Sequence, residues 1–211
     1  MRDVGGTGRR LMPREERAAS IVAAAARAFA SGGYAGTSMD DVAAEAGVTK
    51  IILYRHYATK KDIYTAALDA TWRRLVDSSQ FGYDTAAGLR ALLAAARRDP
   101  AGFTLLFRHA VREPVFAAYA QELVAQTVLV AEQTLGDSVR DPQLRSWLAR
   151  GVTDLVLNSV LEWIATGDPA RDDEAAGLLF QTAAAVIVHH RSRAAPRSVA
   201  RRSDGLRETV Y

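Results

Sequence analysis

Between Thr37 and Tyr64 the sequence TSMDDVAAEAGVTKIILYRHYATKKDIY holds three helix starts and one glycine break, and it contains all three lysines of the chain, Lys50, Lys60 and Lys61. Thr37 and Ser38 are suited to cap a helix, and Asp40 and Asp41 fall in its first turn. Met39, Val42, Ala43 and Ala46 supply an apolar face. Gly47 ends that pattern, because glycine makes the tight turn between two crossing helices at no steric cost. Thr49 then caps a second short helix, on which Leu53 and Tyr57 continue the buried side. Two short crossing helices, with a cation at the start of the second, form a helix-turn-helix DNA reader whose second helix is the recognition element.

The rest of the composition agrees with a folded, helical, non-catalytic protein. A chain of 211 residues, 49% hydrophobic and 24% charged, has material for one or two cored domains. No cysteine is present, which excludes disulfides, thiol catalysis and cysteine-ligated metal centres. No apolar run reaches the roughly 18 to 20 residues that span a bilayer, and no secretory h-region is visible, so a cytoplasmic location without membrane contact is expected. The net charge of +3 is uneven. Residues 1–75 carry 12 basic and 8 acidic groups, residues 76–190 carry 9 and 14, and the remainder 6 and 2. A basic head and tail flanking an acidic middle fits a chain of which only part meets a polyanion.

Residues 1–13 are rich in Gly and Arg and are expected to form a disordered arm. Residues 14–60 form the DNA-binding domain, residues 61–190 a helical body, and residues 191–211 a basic, flexible tail. From Arg14 to Ser31 the apolar positions Ala18, Ile21, Val22, Ala25 and Phe29 recur at helical steps, and Gly32 and Gly33 stop them. Thr59 caps a fourth helix whose stripe of Ile63, Tyr64, Ala67, Leu68, Trp72 and Leu75 is too wide for a single contact. That helix should touch both halves of the molecule. Beyond Ser79 come alanine-rich helices, punctuated by Asp99-Pro100, Asp141-Pro142 and Asp168-Pro169, where Asp as N-cap and Pro in the first turn are start signals. Helices are placed near 85–98, 100–110, 114–135, 142–166 and 172–190, with no strand pattern competing. The fold class is therefore all-α: an N-terminal three-helix helix-turn-helix reader followed by a larger helical domain, to which a family resemblance assigns ligand binding and dimerisation.

Residues 14–64 resemble the DNA-binding domain of the TetR family of bacterial transcriptional regulators. The resemblance rests on AFASGGYAGTS, DDVAAEAGVTK and LYRHYATKKDIY in this order and spacing, and it covers about a quarter of the chain. Helix N-termini favour anions, so Thr37 and Ser38 are candidates for a phosphate contact. Thr49, Lys50 and Ile51 open the recognition helix: lysine can donate to guanine acceptors and an apolar side chain can pack on a thymine methyl. The family resemblance gives Tyr54, His56 and Lys60 roles as backbone contacts. Ile51 and Ile52 depart from the commoner family pattern, with apolar base readout or local packing both open.

The resemblance also implies a homodimer built by the last two helices, with Leu157, Leu161, Leu179, Ala183, Val186 and Ile187 at the interface, reading a palindromic double-stranded operator. It implies a cavity for a small, largely apolar effector among Trp72, Phe103, Phe107, Tyr119, Trp147 and Trp163, with His109, Asn158 and Glu162 as polar anchors. His109 and Glu113 could be half of a metal site, but nothing near them in sequence completes it, and no metal or cofactor is expected. The function expected is a sequence-specific regulator, a repressor released by its effector. A sequence-tolerant architectural DNA binder is the alternative. An enzyme is disfavoured: no nucleophile with its base, carboxylate pair or phosphate loop is recognisable.

Overall fold

The computed structural model describes residues 14–78 and 85–194, apart from the side chains of residues 78, 137 and 186–194. The expected arm at 1–13, the tail from 195 onward, and the side chains of Val186 and Ile187 lie outside the described residues. Among those residues all regular structure is helical: α1 (Arg14–Gly36), α2 (Met39–Glu45), α3 (Lys50–His56), α4 (Lys60–Ser78), α5 (Ala86–Arg98), α6 (Pro100–Thr104), α7 (Ala117–Leu135), α8 (Pro142–Thr166) and α9 (Asp172–Ala194). No single helix among them is long and apolar enough to cross a membrane.

Two of the Asp-Pro signals begin long or capped helices. Asp99 accepts from the Gly102 amide at 3.0 Å to start α6, and Asp141 accepts from Gln143 and Leu144 at 2.8 and 3.1 Å to start α8. Asp168-Pro169 opens only a 3-10 turn ahead of α9. The helix expected over 100–110 is also subdivided: after α6 the chain widens into a π turn over Leu105–His109 and tightens into a 3-10 turn over Ala110–Arg112.

Helix α4 joins the two halves. It packs on α1 on one side and on α5 and α6 on the other. Its Ile63, Tyr64, Ala67 and Leu68 are fully buried in a core that continues from Ile21, Phe29, Val42 and Leu53 into Leu89, Phe103, Phe116 and Val160. Four rings form the hinge of this core. Tyr64 stacks on Phe116 with centroids 4.2 Å apart and meets Phe29 and Tyr34 edge-on at 4.9 and 5.0 Å. The buried Tyr64 hydroxyl has no hydrogen-bond partner among the described residues, and burial raises its pKa.

A second link ties the corner between α8 and α9 to α5. The Arg97 guanidinium donates to the carbonyls of Ile164 and Gly167 at 3.1 and 2.8 Å, and to both carboxylate oxygens of Asp172 at 3.0 and 3.1 Å. The Trp163 indole donates to the same carboxylate at 2.7 Å. Arg97 thus satisfies the open carbonyls at the end of α8 while pairing with an acid in the first turn of α9.

Candidate nucleic-acid interface

The reader consists of α1, α2 and α3. Ser38, rather than Thr37, is the N-cap of α2: its hydroxyl accepts from the Asp41 amide at 3.1 Å, and the Asp41 carboxylate accepts from the Ser38 amide at 2.8 Å. This closed box holds the Asp41 carboxyl below its usual pKa. After α2, Gly47 takes φ +63°, and the Val48 amide returns to the Ala43 carbonyl at 3.0 Å. A side chain at that φ would be strained, so the turn depends on glycine. Thr49 then accepts from the Ile52 amide at 3.4 Å and caps α3.

Helix α3 buries Leu53 completely and rests Ile52 and Tyr57 against the core. Its other side carries Lys50, Ile51, Tyr54 and Arg55, all exposed. Ile51 is 69% exposed and Tyr54 45% exposed, although both are large and apolar. The two alternatives left open for the isoleucine pair therefore divide: Ile52 packs and Ile51 projects. Arg55 was not among the residues singled out from the sequence, yet its place four residues after Ile51 puts it on this face. His56 sits half-buried beside the Tyr57 ring. Lys50 reaches back to Asp40 of α2 at 2.9 Å, an ion pair in which both side chains are more than half exposed.

Two of the residues expected at phosphates make contacts within the chain. Thr37 is 4% exposed, and its hydroxyl donates to the Ala28 carbonyl of α1 at 3.3 Å. The Lys60 ammonium donates to the carbonyls of Tyr34 and Thr37 at 2.7 and 3.0 Å and lies 4.5 Å from the Tyr34 ring centroid. Both residues serve the joint between α1, α2 and α4. Lys61, next along α4, is the exposed cation at that helix start.

The residues expected around an effector lie in different surroundings. Phe103 is buried, with the Phe107 ring 4.6 Å away, and Trp72 is half-buried. Tyr119 hydrogen-bonds the Asp69 carboxylate of α4, and burial, followed by that bond, pushes its phenol up to about 12. Burial first, then Arg108 and Arg112, hold the His109 imidazole below its ordinary pKa, against a hydrogen bond to the Ala30 backbone. Asn158 and Glu162 stand on the exposed side of α8. Trp147 is also outside, at 69% exposure. A cleft of about 460 Å³ does open between α1, α4, α5 and α6, with Arg27, Thr71, Arg74, Asp99 and Phe103 in its wall. Its wall mixes these charged groups with the apolar Ala23, Leu75, Ala95, Pro100 and Ala101.

Several of the residues expected at an interface between copies pack within this chain. Leu157, Leu161 and Ala183 are 6%, 3% and 7% exposed within the chain's own core, and Leu179 is half-buried. A helix apolar all round does not reveal which stripe its own domain covers. The outward stripe of α8 holds Leu144, Trp147 and Leu155, and on α9 Leu178 is exposed.

Residues 21–67 match the family model "Bacterial regulatory proteins, tetR family". The HTH-type transcriptional activator FasR of Mycolicibacterium smegmatis is 30% identical over 185 residues, covering 82% of this chain and 84% of that protein. A TetR-like transcriptional regulator from Rhodococcus sp. RHA1 superposes with a TM-score of 0.72 at 21% identity, over 84% of this chain and 98% of the other. The structure of AibR in complex with isovaleryl coenzyme A and operator DNA superposes with a TM-score of 0.58 at 20% identity, over 79% of this chain and 97% of that one. A helix-turn-helix with an exposed outer α3 face, a continuous helical body behind it, and a relative that matches along most of both chains place the molecule: it belongs to the TetR family of bacterial transcriptional regulators, which bind DNA and are not enzymes.

Proposed function

We propose that the chain works in the cytoplasm as a homodimer that reads a palindromic operator through α3 and leaves it when a small effector binds. Such a protein represses wherever its operator overlaps a promoter. The observation that carries the DNA half of this reading is the outer face of α3: Ile51, 69% exposed, stands between Lys50 and Tyr54 with none of the described residues covering it. Beside the exposed Tyr54 ring such an isoleucine offers an apolar spot that suits a thymine methyl. On this reading Lys50, Ile51 and Thr49 meet base edges. Tyr54, Arg55, Ser38, His56 and Lys61 hold the phosphates on either side.

The exposed stripe of Leu144, Trp147 and Leu155 on α8, with Leu178 on α9, supports a second copy as partner. Two readers so joined would sit about 34 to 36 Å apart or somewhat more, one half-site each. The effector half rests on the cleft beside α1 and α4, because a ligand there touches the reader and the body together. Its wall carries Arg27, Arg74 and Arg98 beside Asp77 and Asp99, with Arg27 paired to Glu45 and Arg74 to Asp99, so a ligand there meets mixed charge next to apolar wall; the isovaleryl coenzyme A held by AibR is an anion with a short apolar acyl group.

Repeated rounds of binding to a random duplex pool test the DNA half. Enrichment of an inverted repeat supports a dimer reading a palindrome, whereas a pool left unchanged would leave the architectural alternative. Titrating acyl-coenzyme A thioesters of graded chain length into the enriched complex tests release. A complex indifferent to all of them speaks against an anionic acyl effector.

A further inference from the structure

Asp40 is an exposed carboxylate on the very face that must approach a polyanion. Its neighbour Asp41 has a local task, closing the capping box on Ser38, whereas Asp40 accepts a hydrogen bond from Lys50. Lys50 is the first residue of α3, and side chains on a helix lean toward its N-terminus, so the lysine crosses to α2 without leaving the outer face. The two side chains remain 54% and 65% exposed while paired. An ammonium has three donors, and this pairing occupies one of them.

We infer that Asp40 is a positioning residue for DNA readout: it holds Lys50 across α2 and α3 with its remaining donors aimed at base edges, and keeps it from swinging to the nearest phosphate. This rests on the DNA-reading role proposed above for α3. A lysine on a free four-carbon stem is a point charge that any backbone satisfies. Held by a carboxylate, it is partly neutralised towards phosphates and already ordered for guanine acceptors. The negative charge of Asp40 costs affinity for DNA in general and returns discrimination. Coulombic attraction from Asp40 also favours the charged lysine, whose pKa is raised chiefly by its hydrogen bond to that carboxylate.

The test is fluorescence anisotropy on the wild-type chain, Asp40→Asn, Asp40→Glu, Lys50→Met and the Asp40→Asn/Lys50→Met double variant, each against the duplex enriched from the random pool and against a scrambled duplex, across a salt series. Exposed pairs of this kind shift equilibria by up to about fivefold. Asp40→Asn should therefore tighten binding to scrambled DNA by about threefold for each reader, with a salt slope steeper by about 0.9 per freed lysine, and should not tighten binding to the enriched duplex. Asp40→Glu should keep the wild-type ratio. In the Lys50→Met background, Asp40→Asn should no longer change the ratio. Equal tightening on both duplexes would overturn the inference, since that is a through-space charge effect, and so would a ratio that still falls without Lys50. A wild-type chain that binds both duplexes alike would sink the DNA reading itself. Wild-type discrimination matched by Asp40→Asn would sink only the role of Asp40.

Discussion

Replacing Arg97 by Met keeps the aliphatic stem of the side chain and removes its guanidinium, and the structure gives the expected cost. The guanidinium closes the C-terminal carbonyls of α8, at Ile164 and Gly167, and pairs through two nitrogens with Asp172 of α9. Arg97 and Asp172 are 21% and 26% exposed, so the pair is neither a surface bridge nor fully buried. Exposed pairs contribute about 0 to 1 kcal/mol, and breaking a fully buried one costs about 3 to 5. An intermediate site with carbonyls left open should lose about 2 to 3 kcal/mol. For a chain of this length that is a fall in Tm of roughly 4 to 12 °C.

The pH dependence supplies the sharper check. Hydrogen bonding to Arg97 is the first cause holding the Asp172 carboxyl below its usual range. A depressed carboxyl contributes stability that is present above its unfolded pKa of about 3.9 and is lost as pH falls through the folded value. The gap between wild type and Arg97→Met, measured by thermal melting at stepped pH, should be constant from pH 7 to about 5 and narrow below about 4. A drop of less than 2 °C at pH 7, or a gap that stays constant down to pH 3 while both proteins still melt cooperatively, would refute the reasoning.

Lys60→Met should lower stability by about 1 to 2 kcal/mol, since two backbone carbonyls lose a charged donor. It should leave the salt slope of DNA binding unchanged; a slope reduced by about 0.9 would return Lys60 to the phosphate backbone. Tyr54→Phe, which removes only the exposed hydroxyl, should weaken enriched and scrambled duplexes alike in anisotropy, and a change of preferred sequence would make Tyr54 a base reader. Trp147→Arg should convert the dimer to monomers in sedimentation velocity with little change in the monomer's helicity by circular dichroism, because the indole is 69% exposed. A dimer that persists would move the interface away from that stripe.

The reader was legible because its signals are local. A capping serine, the +63° turn at Gly47 and a capping Thr49 each act within a few residues, and the Asp-Pro pairs before α6 and α8 work in the same way. The contacts of other residues depend on distant neighbours. Lys60 at a helix start has the same sequence signature whether its ammonium meets a phosphate or a carbonyl 26 residues earlier in α1. Leu157 and Leu161 share their apolar periodicity with Trp147 and Leu155, and only the packing of α8 against its own domain decides which pair is covered. The ring cluster of Tyr64 and Phe116 spans 52 residues of sequence, and the π turn over Leu105–His109 has no composition that announces it.

The claim that the outer face of α3 reads sequence is tested most directly by repeating the random-pool selection with Ile51→Ala beside the wild-type chain. Loss of an apolar contact to a base should relax or change the preference at one position in each half-site and leave the spacing of the half-sites as it was. Two selections that return the same sequence with the same strength at every position would contradict it.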